Sequence, residues 1–311
     1  MQPEADSTLS AGTTSRRHFL NALAGAAIAG MAAPVAWAGT RQALAAGPPA
    51  PGLRLAFSSV MLAELPIEEV CQRAAALGFE ALDLWCPFAK CKHLDDVEQR
   101  LGPEGLKAVL QKTKLKLCSF TVYKLGFPRY APFIKNFGGG LVVRESQYGK
   151  FKPEEITAQM RSFFEQLKPE IELAAQSKVR LAIENHSGAL LNSMDSFKAF
   201  MDLNPAPGQV GIALAPYHLQ RINLPVEDVI AICGQQLWFF YAWQNAKALE
   251  QLPAHGPADF KFWLAALAKV NYQGYVNPFM HGEPEVAELS AALMKSRDYL
   301  RDCWAKVGKS A

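Results

Sequence analysis

Residues 179–188 read VRLAIENHSG, an apolar run closed by the polar residues Glu184, Asn185 and His186. A continuous apolar run without alternation is typical of a parallel strand that is buried on both faces. An amphipathic stretch with helical period follows at 193–203. The segment therefore predicts one strand–helix unit of an α/β protein, with polar residues at the carboxyl end of the strand.

The same alternation of short apolar runs and longer amphipathic runs extends in both directions from this unit. The predicted strands are 53–60, 79–85, 115–122, 140–144, 179–184, 210–214, 237–243 and 274–279. The predicted helices are 67–77, 106–112, 130–137, 153–176 with an interruption at Pro169, 193–203, 226–233, 259–270 and 284–304. Eight such units in about 250 residues predict an α/β fold, a (β/α)₈ TIM barrel that forms a single domain over 52–308.

An open, doubly wound sheet is the alternative arrangement of these elements. Such a sheet usually carries a glycine-rich phosphate-binding turn after its first strand. Here residues 58–62 read SSVML and contain no glycine. The glycines at 138–140 precede the fourth predicted strand, so we interpret them as a turn on the face away from the site. The barrel is the favoured fold.

The N-terminal segment has the features of an export signal. Arg16 and Arg17 precede a run from Leu20 to Ala38 that has no charged residue and is mostly alanine and glycine. This pattern predicts a twin-arginine signal and short tether within residues 1–45, cleaved after Ala38 or Ala45, and export to the periplasm. An uncleaved membrane anchor is the alternative, but a run so rich in alanine and glycine is poorly suited to it.

Composition limits the classes of partner. A hydrophobic fraction of 50% allows one large core, and a net charge of +3 without a basic stripe argues against nucleic acid. Six cysteines are too few and too scattered for a disulfide scaffold. Cys86 and Cys91 either form a local disulfide in the periplasm or stay as thiols, and with His93 they match no strong zinc pattern. Nothing in the composition indicates an oligomeric state.

In a barrel of this kind the chemistry lies where strands end and helices begin. The five histidines beyond residue 52 all follow a predicted strand: His93, His186, His218, His255 and His281. Glu184 and His186 are two residues apart, so they share one face of their strand and both point into the mouth. We predict that the catalytic residues are Glu184, His186 and His218. The predicted substrate-binding residues are Trp85, His93, Asn185, Tyr217, Trp243, Gln244 and His281.

The aromatic residues among these candidates have two interpretations. Trp85, Tyr217 and Trp243 all stand at predicted strand ends. Aromatic faces at a barrel mouth stack well on sugar rings, although filling the core is the commoner role of tryptophan.

Three segments together resemble the xylose-isomerase-like barrel superfamily, which includes the sugar phosphate isomerases and epimerases. They are VRLAIENHSG at 179–188, AAALGFEALDL at 74–84 and GYV at 274–276. The resemblance implies a small-molecule sugar or polyol as ligand and isomerisation or epimerisation as the chemistry. It also implies a divalent metal held by Glu, Asp, His and Glu at the ends of strands five to eight.

This chain departs from that metal pattern. Glu184 fills the first position, but the aspartate of an Asp-x-x-His pattern is Ala215, with His218 retained. The third position lies in AWQN at 242–245, and the fourth falls at or near Phe279. We therefore expect no cofactor and loss of the usual metal. If a divalent ion (Mn, Zn or Mg) is bound, its expected ligands are Glu184, His186, His218 and His281.

The remaining groups still suit proton transfer. We expect Glu184 to remove a proton next to a carbonyl, with His186 or His218 as the acid and Asn185 and Gln244 orienting oxygens. The predicted function is therefore an exported isomerase or epimerase acting on a sugar or keto-sugar. A keto-sugar lyase with the same first step and a non-catalytic periplasmic sugar-binding barrel remain alternatives.

Overall fold

The computed structural model describes residues 52–123 and 126–307, and its eight strands form one parallel sheet in sequence order. The strands are β1 (Ala56–Ser58), β2 (Ala81–Trp85), β3 (Lys116–Thr121), β4 (Leu141–Glu145), β5 (Arg180–Glu184), β6 (Val210–Leu214), β7 (Leu237–Ala242) and β8 (Tyr275–Pro278). A parallel bridge between Leu55 and Val276 joins the last strand to the first, where Val276 N donates to Arg54 O at 2.9 Å. The predicted (β/α)₈ TIM barrel is confirmed.

Helices follow the strands along the chain. The α-helices of the described residues are α1 (Ile67–Ala76), α2 (His93–Asp96), α3 (Gly102–Thr113), α4 (Gly126–Ile134), α5 (Ile156–Gln176), α6 (Met194–Leu203), α7 (Pro216–Gln220), α8 (Val226–Cys233), α9 (Phe260–Lys269) and α10 (Val286–Val307). A π-helical segment, Val97–Leu101, joins α2 to α3. Neighbouring long helices contact one another around the sheet, as in the pairs α5–α6 and α9–α10.

The unit formed by β5 and α6 shows why these residues fold as they do. Four of the five residues of β5 are buried, as a strand covered on both faces requires. Ser193 caps α6, because its hydroxyl accepts a hydrogen bond from Ser196 N at 3.1 Å. The buried face of α6 includes Phe200, whose ring centroid lies 5.0 Å from that of Phe164 on α5. The helix is therefore fixed at its start by a cap and along its length by aromatic packing.

Three local predictions differ from the structure. The interruption at Pro169 was wrong, because α5 runs through it: Pro169 lies on the exposed face, where water can bond the carbonyl that it leaves unpaired. The first strand ends at Ser58, and Ser59–Leu62 form a 3₁₀ turn. The short helices α2 and α7 were missed, since runs of four and five residues carry almost no periodic signal.

The predicted twin-arginine signal and both cleavage sites lie outside the described residues, so export stays a prediction. Within 52–123 and 126–307, no helix has the length and apolar character needed to cross a membrane.

All six cysteines are buried thiols, so the disulfide considered for Cys86 and Cys91 is not formed.

Candidate active site

A cavity of about 610 Å³ opens at the carboxyl ends of the strands. Its lining residues are Trp85, Phe88, Tyr123, Glu145, Tyr148, Glu184, His186, Tyr217, His218, Trp243, Ala246, Gln251, Phe279 and His281. Seven of the ten predicted site residues are among them: Trp85, Glu184, His186, Tyr217, His218, Trp243 and His281. The structure therefore brings together most of a site whose members are spread over about 200 residues of sequence.

The strands and the turns after them set the positions of the polar groups. Glu184 is the last residue of β5, paired in register with Glu145 on β4 and Ala213 on β6. His186 follows two residues later. His218 lies in α7, which begins with Pro216 directly after β6. Two adjacent strand ends thus supply the three titratable groups that we predicted to be catalytic.

Glu184, His186 and His218 form a compact cluster. One ligand atom from each residue lies within 4.8 Å of the other two, and the two imidazole centroids are 4.4 Å apart. Glu184 is only 3% exposed, and its carboxylate accepts a hydrogen bond from the Tyr123 hydroxyl. Burial raises the pKa of Glu184 to about 8; the Tyr123 hydrogen bond opposes this rise, and the nearby Asp83 and Glu145 carboxylates add to it. A carboxyl group with such a pKa can exchange a proton near neutral pH.

The three histidines of the cavity are neutral at neutral pH. Burial lowers the pKa of His186 to about 4, that of His218 to about 3 and that of His281 to about 4. Repulsion from His281 lowers the pKa of His186 further, and repulsion from His186, Arg221 and His281 lowers that of His218. Each neutral ring offers one N–H donor and one lone pair. Among the described side chains, Nδ1 of His186 and Nδ1 of His218 are buried without a hydrogen-bond partner, so they are available to a ligand.

The cluster also fits a divalent ion by the chemistry of its donors. Two neutral imidazole nitrogens and one carboxylate are the ligands of many catalytic zinc sites, which leave a further position open. The unpartnered Nδ1 atoms support this fit. Of the four expected ligands, Glu184, His186 and His218 converge, whereas His281 is outside the cluster.

Aromatic side chains form much of the remaining cavity wall. Tyr217 stacks on Trp243 with ring centroids 4.0 Å apart and an interplanar angle of 6°. Trp85 stacks on Phe279 at 5.5 Å and 17°. Phe279 is therefore part of an aromatic platform. Flat apolar faces of this kind bind the C–H faces of sugar rings.

Two residues that bond to cavity side chains were not predicted from the sequence. Tyr123 follows β3 and reaches Glu184, and burial next to that carboxylate raises the pKa of its hydroxyl well above the ordinary value. Asp83, fully buried on β2, accepts a hydrogen bond from Trp85 Nε1 at 2.6 Å and thereby fixes the indole. Hydroxyls donate to the same carboxylate at 2.6–2.8 Å: those of Ser58, Ser119 and Thr121.

A sequence signal existed for one of these residues. Asp83 and Trp85 are two apart on one strand, so they share a face. A charged residue inside an otherwise apolar strand is itself unusual and needs partners. The contact between Tyr123 and Glu184 joins residues 61 positions apart, and no local pattern predicts it.

Two predicted substrate-binding amides are not brought to the cavity. Asn185 Oδ1 accepts from Ala215 N at 2.7 Å, and its Nδ2 donates to Ala215 O at 3.2 Å. Gln244 Nε2 donates to Leu252 O at 2.9 Å, and its Oε1 accepts from Ala258 N at 2.7 Å. Both side chains satisfy backbone groups of buried loops, which is a structural role. The expectation that they orient substrate oxygens is therefore replaced by one of loop support.

Two histidines also lie away from the cavity. His93 is 4% exposed, with Nε2 at 2.8 Å from Leu65 O and Nδ1 at 3.3 Å from Cys91 Sγ. His255 Nε2 lies 3.1 Å from Ala292 O on α10. Their rings bridge loops and helices, so the predicted substrate-binding role of His93 is corrected to a structural one.

Solved structures of similar fold cover most of the chain. The zinc-bound IOLI protein matches with a TM-score of 0.63 at 14% identity, over 82% of this chain and 99% of that one. The E. coli 3-keto-D-glucoside 4-epimerase YcjR matches at 0.60 and 16%, over 79% and 99%. D-psicose 3-epimerase in the presence of D-fructose matches at 0.62 and 12%, over 81% and 99%. At these identities the likeness establishes the fold alone.

Sequence comparison establishes the family. No curated protein matches the chain. A family model described as xylose isomerase-like TIM barrel matches residues 71–303, which is most of the described barrel. Together with the closed ring of eight parallel strands, this match shows that the chain belongs to the xylose isomerase-like TIM barrel family.

Proposed function

We propose that this chain is an isomerase or epimerase that moves a proton at a carbon next to the carbonyl of a sugar or keto-sugar. The observation that carries the proposal is the convergence of Glu184, His186 and His218 within 4.8 Å in an aromatic-lined cavity. Structural neighbours that are epimerases of a 3-keto-glucoside and of psicose agree with this substrate class.

Glu184 is the proposed base. Because its pKa is about 8, a fraction of Glu184 is ionised near neutral pH. This carboxylate takes the proton from the carbon next to the carbonyl, and the electron pair moves onto the carbonyl oxygen to give an enediolate. In an isomerisation, Glu184 returns the proton to the neighbouring carbon while the hydroxyl proton of that carbon moves to the former carbonyl oxygen. In an epimerisation, His186 or His218 delivers a proton to the opposite face of the same carbon, and the proton held by Glu184 passes back to that histidine. The Tyr123 hydroxyl donates to Glu184 and so fixes the direction of the carboxylate.

The neutral histidines are the proposed electrophiles. An N–H of His186 or His218 can donate to the oxygen on which the negative charge develops, as a neutral histidine does in triosephosphate isomerase. Burial lowers the pKa of both rings, so both are neutral. Each can therefore donate a hydrogen bond without first giving up a proton.

We propose that the reaction proceeds without the customary metal centre, because the family resemblance puts its other ligand positions at Ala215, within residues 242–245 and at or near Phe279. If a divalent ion is bound, Glu184, His186 and His218 are the residues that would hold it, and it would polarise the carbonyl oxygen as a Lewis acid. Elemental analysis of protein from its native source tests this point. A substoichiometric ion content supports the metal-free reaction, and one ion per chain would overturn it.

We also propose that the reaction takes place in the periplasm, on the basis of the Arg16–Arg17 pair and the uncharged run after it. Cell fractionation should find the mature chain in the periplasm. Replacement of both arginines by lysine should leave it in the cytoplasm as the longer precursor. Equal export of the two forms would contradict the proposal.

Hydrogen exchange at carbon tests the chemistry directly. The purified protein is incubated in D₂O with fructose, psicose, tagatose and a 3-keto-glucoside, and deuterium beside the carbonyl is followed by NMR. Exchange that depends on the protein supports the proposal, and the products separate isomerase or epimerase from lyase. Recovery of every bound sugar without deuterium would favour the sugar-binding barrel instead.

A further inference from the structure

We propose that the cavity contains a second-ring subsite at its mouth, built on Tyr148, and that the substrate is consequently a glycoside whose inner ring carries a keto group, since the glycosidic bond blocks the anomeric carbonyl. The reacting sugar occupies the interior, and the ring attached to it lies against the Tyr148 face. This inference rests on the proposed function and narrows its substrate class.

Tyr148 combines exposure with a place in the cavity wall. It is 59% exposed, and it lines the same cavity as Glu184, which is 3% exposed. The other large apolar side chains exposed in the described part of the chain, Phe262 and Met294, lie on α9 and α10 and line no part of that cavity. A single exposed apolar residue is ordinary on a protein surface. An exposed aromatic ring at the rim of a candidate active site is a contact for a ligand.

The backbone holds Tyr148 in place. The segment after β4 pairs with the segment after β5 through an antiparallel bridge between Tyr148 and Ala189. Hydrogen bonds flank this bridge on both sides: Gly149 N to Gly188 O at 3.2 Å and Leu190 N to Gln147 O at 2.7 Å. A ring that is positioned before the ligand arrives loses less conformational entropy on binding.

His186 connects the interior to the rim. It lies two residues after Glu184, and its ring centroid is 5.5 Å from that of Tyr148. Exposure rises from Glu184, which is buried, through the half-buried His186 to the exposed Tyr148, so the three residues run from the interior of the cavity to its rim. The cavity volume of about 610 Å³ is within the range of pockets that enclose drug-sized ligands, which is more than one sugar ring requires.

The chemistry of this subsite defines the ring that it takes. A tyrosine face attracts the C–H face of a second sugar or the face of an aryl group. Phenyl glycosides and disaccharides carry a second ring with such a face, whereas methyl glycosides carry no second ring. Titration calorimetry with methyl glycosides, phenyl glycosides and β-linked disaccharides of gluco, galacto, manno and xylo configuration therefore tests the inference.

We expect the phenyl glycoside or the disaccharide of the preferred sugar to bind about three- to tenfold more tightly than its methyl glycoside. Tyr148→Ala should abolish this preference and leave the affinity for the methyl glycoside unchanged. Tyr148→Phe should keep it, because the ring face remains. The matched control Phe262→Ala, an exposed aromatic on α9, should also keep it.

The possible failures are distinguishable. If methyl glycosides bind but none of the larger ligands is preferred, or if Tyr148→Ala keeps the preference, the subsite is disproved while the proposed function stands. If no sugar or glycoside binds and no keto-sugar exchanges deuterium, the proposed function and the subsite both fail. A preference for the disaccharide over the phenyl glycoside, or the reverse, identifies the second ring.

Discussion

The two sides of the cavity differ in kind. The acid–base side, after β5 and β6, consists of Glu184, His186 and His218. The aromatic side consists of Trp85, Tyr217, Trp243 and Phe279. The aromatic rings pack on one another, while the titratable groups form a cluster of their own. In the proposed reaction, the acid–base side moves protons and the aromatic side shapes and orients the ligand.

The largest expected effect is on the acid–base side. Glu184→Gln should lower protein-dependent deuterium exchange roughly a thousandfold, because the amide cannot accept the proton. The free energy of unfolding should change little, since the amide oxygen still accepts from Tyr123. Glu172→Gln, an exposed position on α5, is the matched control and should keep full activity. Retained exchange in Glu184→Gln would remove Glu184 from its role.

On the aromatic side the expected effect is on stability. Phe279→Ala should lower the free energy of unfolding by about 3–5 kcal/mol, because it leaves a cavity beside Trp85. Urea unfolding measures the change. Phe262→Ala removes the same ring from an exposed position and should cost less than about 0.5 kcal/mol. Equal losses in the two variants would show that the Phe279 stack is not a packed platform.

The histidines predict a dependence of stability on pH. The pKa values of His186, His218 and His281, about 4, 3 and 4, lie below their value of about 6.5 in the unfolded chain. The unfolded chain therefore takes up more protons as the pH falls from 7 to 5, which lowers the free energy of unfolding. Glu184 opposes this loss, because with a pKa of about 8 it is already protonated in the folded protein.

The net loss of stability between pH 7 and pH 5 should be about 3 kcal/mol. Urea unfolding with a chelator present measures it in the metal-free protein. His218→Asn should remove about 2 kcal/mol of the loss, since one buried imidazole no longer titrates. Stability that is independent of pH in this range would mean that these histidines are solvated or charged in the folded protein.

The smallest expected effect concerns Asp83, which supports Trp85 on the aromatic side. Asp83→Asn replaces one of the two acceptor oxygens below Trp85 with a donor and should lower the free energy of unfolding by about 1–2 kcal/mol. Because Asp83 positions Trp85 and touches no substrate, KM for the exchange reaction should rise while kcat stays within about twofold. Ser119→Ala removes one donor to the same carboxylate and serves as the control. A fall in kcat alone would place Asp83 in the acid–base chemistry.

The sequence predicted the polar side better than the aromatic side. Glu184 and His186 were found because the end of a buried strand and a spacing of two are local signals. Trp85, Tyr217 and Trp243 were predicted as strand-end residues and do line the cavity, but Phe279 was considered only as a position at or near which the resemblance implies a ligand. Its stack on Trp85 joins β2 to β8, and such a pair has no local signature.

For the amide side chains, the sequence predicted a contact with the substrate that the structure does not support. Asn185 and Gln244 have the composition and position of ligand-binding residues, yet both bond to backbone groups of neighbouring loops. The direction of an amide is decided by the donors and acceptors that the loops leave unpaired when buried. Those groups are defined only once the loops are packed.

By itself, the sequence determined the eight strand–helix units, the barrel and the placement of histidines after its strands, because burial on both faces demands continuous apolar runs and leaves polar residues at the ends. Only the tertiary structure decided which polar groups meet. Closing the barrel brings Tyr123 to Glu184 and aligns His186 with His218. It also carries Phe279 onto Trp85 and Tyr148 to the rim. These contacts depend on the register and curvature of the whole sheet, which no short stretch of residues contains.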